Sequence, residues 1–329
     1  MSRRAVQLLT DGENIEEIYV VAEKQLRTNR QGGLYLQVEL RDRTGSIVAR
    51  LWNATEAQGN AFVEGDFIRV RGKVQLFQGA LQLIFTSFDR VDPSRVAIEE
   101  FVTRSDQDIQ KLYDRLRTYL LKLGDIHLRA LAECFLMDDA FVQGLRQSPA
   151  GIRNHHAYVG GLLEHVVTML DIADRIAPLY PNLNRDMLLM GVFLHDIGKI
   201  RELTGLAVFG YSDEGQLVGH IDIGVELLNE KVAKVPDLTG EPFPREHLLR
   251  LKHLIVSHHG TYEFGSPRLP MTPEAIALHY IDNLDAKLHT FLRDIRDDRN
   301  ATSAWTPYNQ SMQRRLFKGI REGSEPVAD

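Results

Sequence analysis

Two regimes of hydrophobic patterning divide the chain. Between about residues 14 and 91, the segments YVVAEKQ, LYLQVELR, SIVARLW, DFIRVRGKV and ALQLIFTSF alternate apolar and polar positions or run apolar. Their short length and β-branched and aromatic content predict strands. Turn residues at Gln31–Gly33, Asp42–Gly45 and Gln78–Ala80 separate them. NATEAQGNAFVEG, between the third and fourth strands, fits one short helix. Pro93 and Ser94 then break the strand pattern. Beyond Ser105, acidic groups open a first turn and apolar positions recur at helical spacing. The pattern predicts helices near 106–123, 125–137, 138–146, 155–177, 185–197, 219–234, 245–258 and 272–296. GLAVFGYSDEGQLVGH interrupts them, and its DEG turn between apolar runs predicts a small β-hairpin. The end, GIREGSEPVAD, reads as a frayed tail.

Five strands with a helix after the third is the layout of an OB-fold barrel. The expected fold class is therefore multi-domain, β plus all-α. A five-stranded OB-fold barrel spans 1–95, and a helical linker leading into the helical domain spans 96–150. A helical domain with a small β-hairpin spans 151–300, and a C-terminal extension spans 301–329. A chain of 329 residues accommodates this. The longest apolar runs, LLMGVFL and LQLIF, fall far short of the roughly 20 residues a membrane span needs. No apolar N-terminal stretch suggests a signal peptide, and the one cysteine, Cys134, allows no intrachain disulfide. A cytoplasmic protein with no membrane partner is expected.

The formal net charge of −6 argues against broad electrostatic coating of duplex DNA. It leaves room for a narrow channel whose positive charge comes from metals and a few basic groups. OB barrels commonly present aromatic and basic groups to single strands. The candidates here are Tyr35, Trp52, Phe77 and Phe85, with Arg69, Arg71 and Lys73 alternating along one face of the fourth strand. Barrel core for the aromatics and a solvated face for the cations are the competing explanations.

The chemistry concentrates in the helical half. His195 and Asp196 close the apolar run MLLMGVFLHDIGK. An imidazole and a carboxylate side by side can bind one divalent metal, and the second carboxylate oxygen can reach another. His165 lies beside Leu162, Val166 and Met169, and Asp282 interrupts the apolar helix AIALHYIDNLDAKL. Desolvating such groups without partners is unfavourable, so a shared metal accounts for all of them. His220 opens a helix, while His258 and His259 close one. A helix C-cap explains one histidine of that last pair comfortably and two less well. The mixed donor set suits Mn²⁺, Fe²⁺ or Zn²⁺ better than Ca²⁺, with Mg²⁺ also admissible.

This His…His-Asp…Asp order resembles the HD superfamily of metal-dependent phosphohydrolases over most of residues 150–290. Members with extra histidines at these places hold two metals. On that pattern His165, His195, Asp196 and Asp282 hold one, and Asp196, His220, His258 and His259 hold the other. Such a pair activates a bridging water for in-line attack on a phosphate. Lys199, three residues after Asp196, is spaced to neutralise charge developing on the phosphoryl oxygens, or is a surface lysine at a helix end. His155, His156 and Arg268 are candidate substrate contacts, and Asp285 is placed to orient a ligand histidine or to pair at the surface. Gly160 and Gly161 allow a close approach by a neighbouring helix or a substrate backbone. His253 and His279 read as packing or surface residues.

NHHAYVGGLLEHVVTML, FLHDIGKIRELT, YSDEGQLVGHIDIG, VSHHGTYEFGSPRLPMTPEAIALHYIDNLDAKL and WTPYNQSMQRRLFKG more closely resemble the YhaM-type bacterial 3′→5′ exoribonucleases, in which an OB-fold precedes the HD domain. The resemblance implies Mn²⁺-favoured hydrolysis of single-stranded RNA from its 3′ end through a metal-bridging hydroxide, with release of nucleoside 5′-monophosphates. It also implies some activity on single-stranded DNA, and homo-oligomers. Two other readings compete. One is an HD phosphodiesterase or nucleotidase acting on a small nucleotide or cyclic dinucleotide. The other is a non-catalytic single-strand or replication-site binding protein.

Overall fold

In a computed structural model, described for residues 3–152, 156–205, 207–298, 300, 303–310 and 312–319, the N-terminal segments form a closed barrel. Its strands are β1 (Asn14–Thr28), β2 (Leu34–Asp42), β3 (Gly45–Trp52), β4 (Phe67–Phe77) and β5 (Ala80–Val91), with helix α1 (Glu56–Asn60) between β3 and β4. This is the layout the patterning predicts. The strand order is β1-β2-β3-β5-β4, and the parallel β3–β5 pair closes the cylinder. Alternation does the sorting: Leu36, Val38 and Leu40 of β2 point inward and are essentially fully buried. A capping box between Thr55 and Gln58 starts α1.

The helical part comprises α2 (Ile109–Leu121), α3 (Ile126–Leu136), α4 (Asp139–Gln147), α5 (Gly161–Ile176), α6 (Arg185–Leu194), α7 (Lys199–Glu202), then strands β6 (Leu203–Thr204) and β7 (Gly210–Tyr211). It continues with α8 (Asp213–Leu217), α9 (His220–Val232), α10 (Val235–Thr239), α11 (Arg245–Ser257) and α12 (Pro273–Asp297). One apolar core runs through it, with every residue from Met187 to Leu194 of α6 buried. No helix among the described residues is long and apolar enough to cross a membrane.

Two local expectations are corrected. The hairpin forms, but it does not reverse at DEG: Asp213 and Glu214 open α8, where the positive end of the helix dipole favours them. The reversal begins at Gly205, whose φ of +91° and 2.0 Å separation between an added Cβ and the Val208 oxygen leave room only for glycine. Ala207 and Val208 pack with Val20, Phe67 and Phe101, so Leu203–Ser212 groups with Met1–Asp106 as one compact unit, while the second begins at Gln107. The second correction is at α6, which stops at Leu194 with His195 as its C-cap instead of running on to residue 197.

One buried carboxylate ties together the three helices that carry most of the polar centre. Glu274, in the first turn of α12 and 1% exposed, accepts from the backbone N–H of Asn184, the N-cap of α6, at 2.9 Å, and from Arg250 of α11 at 2.8 Å. Burial pushes its carboxyl up, but these two donors outweigh burial and hold it below the ordinary glutamate value of 4.5. A depressed carboxyl stabilises the fold above its unfolded value, and that stabilisation is lost as the pH falls through the folded value. Glu274→Ala should therefore lower stability by about 2 kcal/mol at neutral pH. Urea melts should show the difference narrowing at about pH 3; an equal difference at both pH values would refute the ionic part.

Candidate metal centre

Five imidazoles follow one another across the interior of the helical unit. Ring centroids are 5.4 Å apart for His165–His195, 5.1 Å for His195–His258, 5.7 Å for His258–His220 and 4.2 Å for His258–His259. They come from four places in the chain: His165 from the second turn of α5, His195 from the end of α6, His220 from the start of α9, and His258 and His259 from the end of α11. Asp196 lies among them, 2% exposed.

Its two oxygens face different partners. Oδ2 is 3.3 Å from His195 Nε2 and 3.9 Å from His165 Nε2. Oδ1 is 3.6 Å from His220 Nε2 and 3.7 Å from His258 Nε2. Asp282 Oδ1 adds to the first side, 3.4 Å from His165 Nε2. Candidate donor atoms of His165, His195 and Asp282 lie within 4.8 Å of one another, as do those of His220, His258 and His259. The result is two donor clusters with the Asp196 carboxylate between them.

The far side of each ring is held. His195 Nδ1–H donates to the Val192 carbonyl at 2.8 Å, and His258 Nδ1–H donates to the Ile255 carbonyl at 2.7 Å. A carbonyl only accepts, so Nδ1 carries the proton and the Nε2 lone pair points inward. His165 Nδ1 meets Asp285 Oδ2 at 2.7 Å and His220 Nδ1 meets Glu202 Oε1 at 3.0 Å, the carboxylate–histidine pairing common behind metal ligands. His279 steadies α11 from outside, its Nδ1 2.9 Å from the His258 carbonyl.

What remains inside is unsatisfied. His195 Nε2, Asp196 Oδ1, His220 Nε2, His258 Nε2 and His259 Nδ1 are buried and have no hydrogen-bond partner among the described residues. Each such orphan costs about 1–3 kcal/mol, and lone pairs converging on shared space repel one another. Divalent cations satisfy all of them at once, so the donor set fits a two-cation centre.

The charge states agree. Burial pushes the Asp196 carboxyl up, yet Lys199, His195 and His220 together hold it well below the usual range. Asp282 is likewise held low against burial, chiefly by His165. Burial, with His195 alongside, keeps the His258 imidazole neutral. His165 goes the other way: burial opposes its proton, but Asp282 and Asp285 raise it to about 9, so a cation must displace that proton. Lys199 Nζ contacts Asp196 Oδ2 at 2.6 Å, placing a fixed positive charge at the edge of the cluster.

Other predicted residues fall elsewhere. His155 lies outside the described residues. His156 is not on an open surface: it is buried behind His165, 3.0 Å from Asp285 Oδ2 and stacked on His289 with centroids 3.9 Å apart. Arg268 is exposed in the loop after α11. Gly160 faces Ile109 at the start of α2, so the close neighbour there is a helix. His253 accepts from the Met271 N–H. Glu202, Tyr158 and His289 were missed. Glu202 follows HDIGK as an ordinary-looking acid in KIRE, and only tertiary approach brings His220 to it.

On the barrel, Tyr35 and Trp52 are cross-strand partners on β2 and β3, with rings 5.0 Å apart and Trp52 47% exposed. Phe77 is exposed at the β4–β5 tip, whereas Phe85 is buried core. Arg69, Arg71 and Lys73 are exposed on β4, but Arg71 is ion-paired with Glu16 at 2.9 Å and Asp89 at 3.5 Å.

Comparison with known proteins follows the same division. A family model of the HD domain matches residues 162–287, and one of the OB-fold nucleic acid binding domain matches residues 19–91. The chain is 34% identical over 287 residues to the 3′-5′ exoribonuclease YhaM of Bacillus subtilis, covering 87% of this chain and 89% of that protein. It is 31% identical over 313 residues to the YhaM of Geobacillus sp., covering 94% of both. Against that of Shouchella clausii it is 36% identical over 271 residues, covering 82% and 81%.

Proposed function

The chain belongs to the YhaM family of 3′-5′ exoribonucleases, and from that premise we propose that it hydrolyses single-stranded RNA from the 3′ end at the centre built around Asp196. The observation that carries this is the set of orphaned buried donors on both sides of one carboxylate. His165, His195, Asp282 and Asp196 hold one divalent cation, and Asp196, His220, His258 and His259 hold the second. The imidazole–carboxylate set suits Mn²⁺, Fe²⁺ or Zn²⁺, and of these the family resemblance favours Mn²⁺. Such a pair supplies an activated water and neutralises the non-bridging phosphate oxygens.

The chain's own groups do the rest. Asp285 and Glu202 hold His165 and His220 in the tautomer whose Nε2 faces inward. Lys199, held against Asp196, supplies a positive charge beside the centre that would offset negative charge growing on the phosphoryl group. Cleavage on the 3′-oxygen side of the phosphorus releases nucleoside 5′-monophosphates, and single-stranded DNA presents the same linkage. The Tyr35–Trp52 pair, with Trp52 exposed and Tyr35 half-buried beside it, holds upstream bases by stacking, which tolerates any sequence. Ile276, Tyr280, Leu284, Leu288 and Leu292 form an exposed apolar ridge at four-residue spacing on α12, which supports assembly of further copies of the chain through that face.

The direct test is a time course on 5′-labelled single-stranded RNA with Mn²⁺. The expected result is a ladder shortening from the 3′ end with 5′-monophosphates released. RNA left intact in the presence of Mn²⁺, with mononucleotides hydrolysed instead, would overturn the assignment.

A further inference from the structure

The late segment WTPYNQSMQRRLFKG is used by none of the chemistry above. Its described residues, 305–310 and 312–319, come after α12 and pair with one another at Trp305–Phe317 and Asn309–Arg314. Thr306 N–H donates to the Leu316 carbonyl and Leu316 N–H to Thr306 Oγ1, both at 2.9 Å, and both residues are buried. Asn309 Nδ2 bonds Asp294 and Lys318 Nζ bonds Asp298, each at 2.5 Å, fixing the hairpin to the end of α12.

What this anchored hairpin shows to solvent is unusual for a chain of net charge −6. Trp305 is 45% exposed, Tyr308 62% and Phe317 50%, and the Trp305 and Phe317 rings lie 5.0 Å apart across the strand pair. Residues 303–319 contain Arg314, Arg315 and Lys318 and no Asp or Glu. Each of the two exposed guanidiniums donates through Nε to a backbone carbonyl, of Met312 and of Thr306, and neither meets a carboxylate among the described residues. Exposed rings interleaved with uncompensated cations are the chemistry that grips a single strand, by stacking on bases and pairing with phosphates. A second copy of the same hairpin would bring like charges together.

We propose that this C-terminal hairpin is a second single-strand RNA platform, on the helical unit itself, which holds nucleotides upstream of the one being removed. It rests on the exonuclease reading for its substrate. Helix geometry sets the reach: Asp282 and Asp294 are twelve residues apart on α12, so the platform is anchored about 18 Å along the helix from the candidate metal centre. A strand end in the centre spans that distance with a few nucleotides.

The chain has two tryptophans, Trp52 and Trp305, so Trp52→Phe leaves Trp305 as a single reporter on the hairpin. The probe is a single-stranded RNA of about 12 nucleotides, its 3′-terminal linkages replaced by cleavage-resistant phosphorothioates, added to the Mn²⁺-loaded chain. Trp305 emission should be quenched on binding. Adding Arg314→Glu and Arg315→Glu should weaken binding by about tenfold or more and flatten the log–log salt slope by about 1.4. Unchanged Trp305 emission overturns the proposal, as does emission that varies with protein concentration in the absence of RNA. The all-phosphodiester RNA, given to the unsubstituted chain with Trp52 in place, reports separately on the parent reading. A chain that shortens it without quenching keeps the activity and loses the platform; one that quenches without shortening does the reverse.

Discussion

Replacing Asp196 by asparagine lowers RNA hydrolysis by at least about a thousandfold while the chain stays folded. The reason is that both carboxylate oxygens are used. Oδ2 faces His165 and His195, and Oδ1 faces His220 and His258. An amide of the same shape keeps one oxygen and turns an N–H₂ group toward the other cluster, where it repels a cation instead of attracting one. Metal analysis should show fewer than two ions per chain, with the far-UV circular dichroism of the parent. RNA binding in chelator should be preserved, because the barrel aromatics are untouched. An Asp196→Asn chain that degrades RNA at the parental rate would place the chemistry elsewhere.

Gly198→Ala should produce the second-largest effect, at a residue that binds nothing. A Cβ added there would stand 1.9 Å from the His220 carbonyl oxygen and 2.8 Å from the Gly224 nitrogen. These are backbone atoms of α9 and cannot rotate away, so the start of that helix must move. His220 moves with it, away from Asp196 and from the Glu202 carboxylate that orients it. A displacement of about 1 Å at a ligand is enough to cut activity roughly a hundredfold. Overpacking should also lower stability by about 1–3 kcal/mol. Metal titration should show the His220 side weakened and the His165–His195–Asp282 side retained. Parental metal stoichiometry and rate would mean that the helix relaxes freely and that the tight contact is incidental.

These two cases show how unevenly the centre was legible in the chain. The His195-Asp196 doublet and the carboxylate in AIALHYIDNLDAKL stood out because charged groups interrupt strongly apolar helices, and burial demands a partner for them. Glu202 gave no such sign, since an acid in KIRE looks like any helix surface residue until His220 arrives from eighteen positions away. His156 misled in the opposite direction. Beside His155 it reads as an approach to substrate, yet its left-handed backbone, φ 50°, turns the ring into the stack with His289 and onto Asp285. Phe85 was ambiguous for a related reason: a run such as LQLIFTSF shows period two but not which face is inside, and barrel closure put Phe85 in. The DEG segment failed because turn and helix-start chemistry share the same residues.

The amino-acid order alone determined that a strand-rich part precedes a helical one, that its single cysteine can form no intrachain disulfide, and that histidines and carboxylates are threaded through oily helices. Local periodicity and the penalty for desolvating charge are properties of short windows, so they can be read without coordinates. Which oxygen of Asp196 faces which imidazole, and which acids stand behind the His165 and His220 rings, were decided only when α5, α6, α9, α11 and α12 packed. Those features depend on separations of 2.7–3.9 Å between residues far apart in the chain, and no window of sequence contains such a distance.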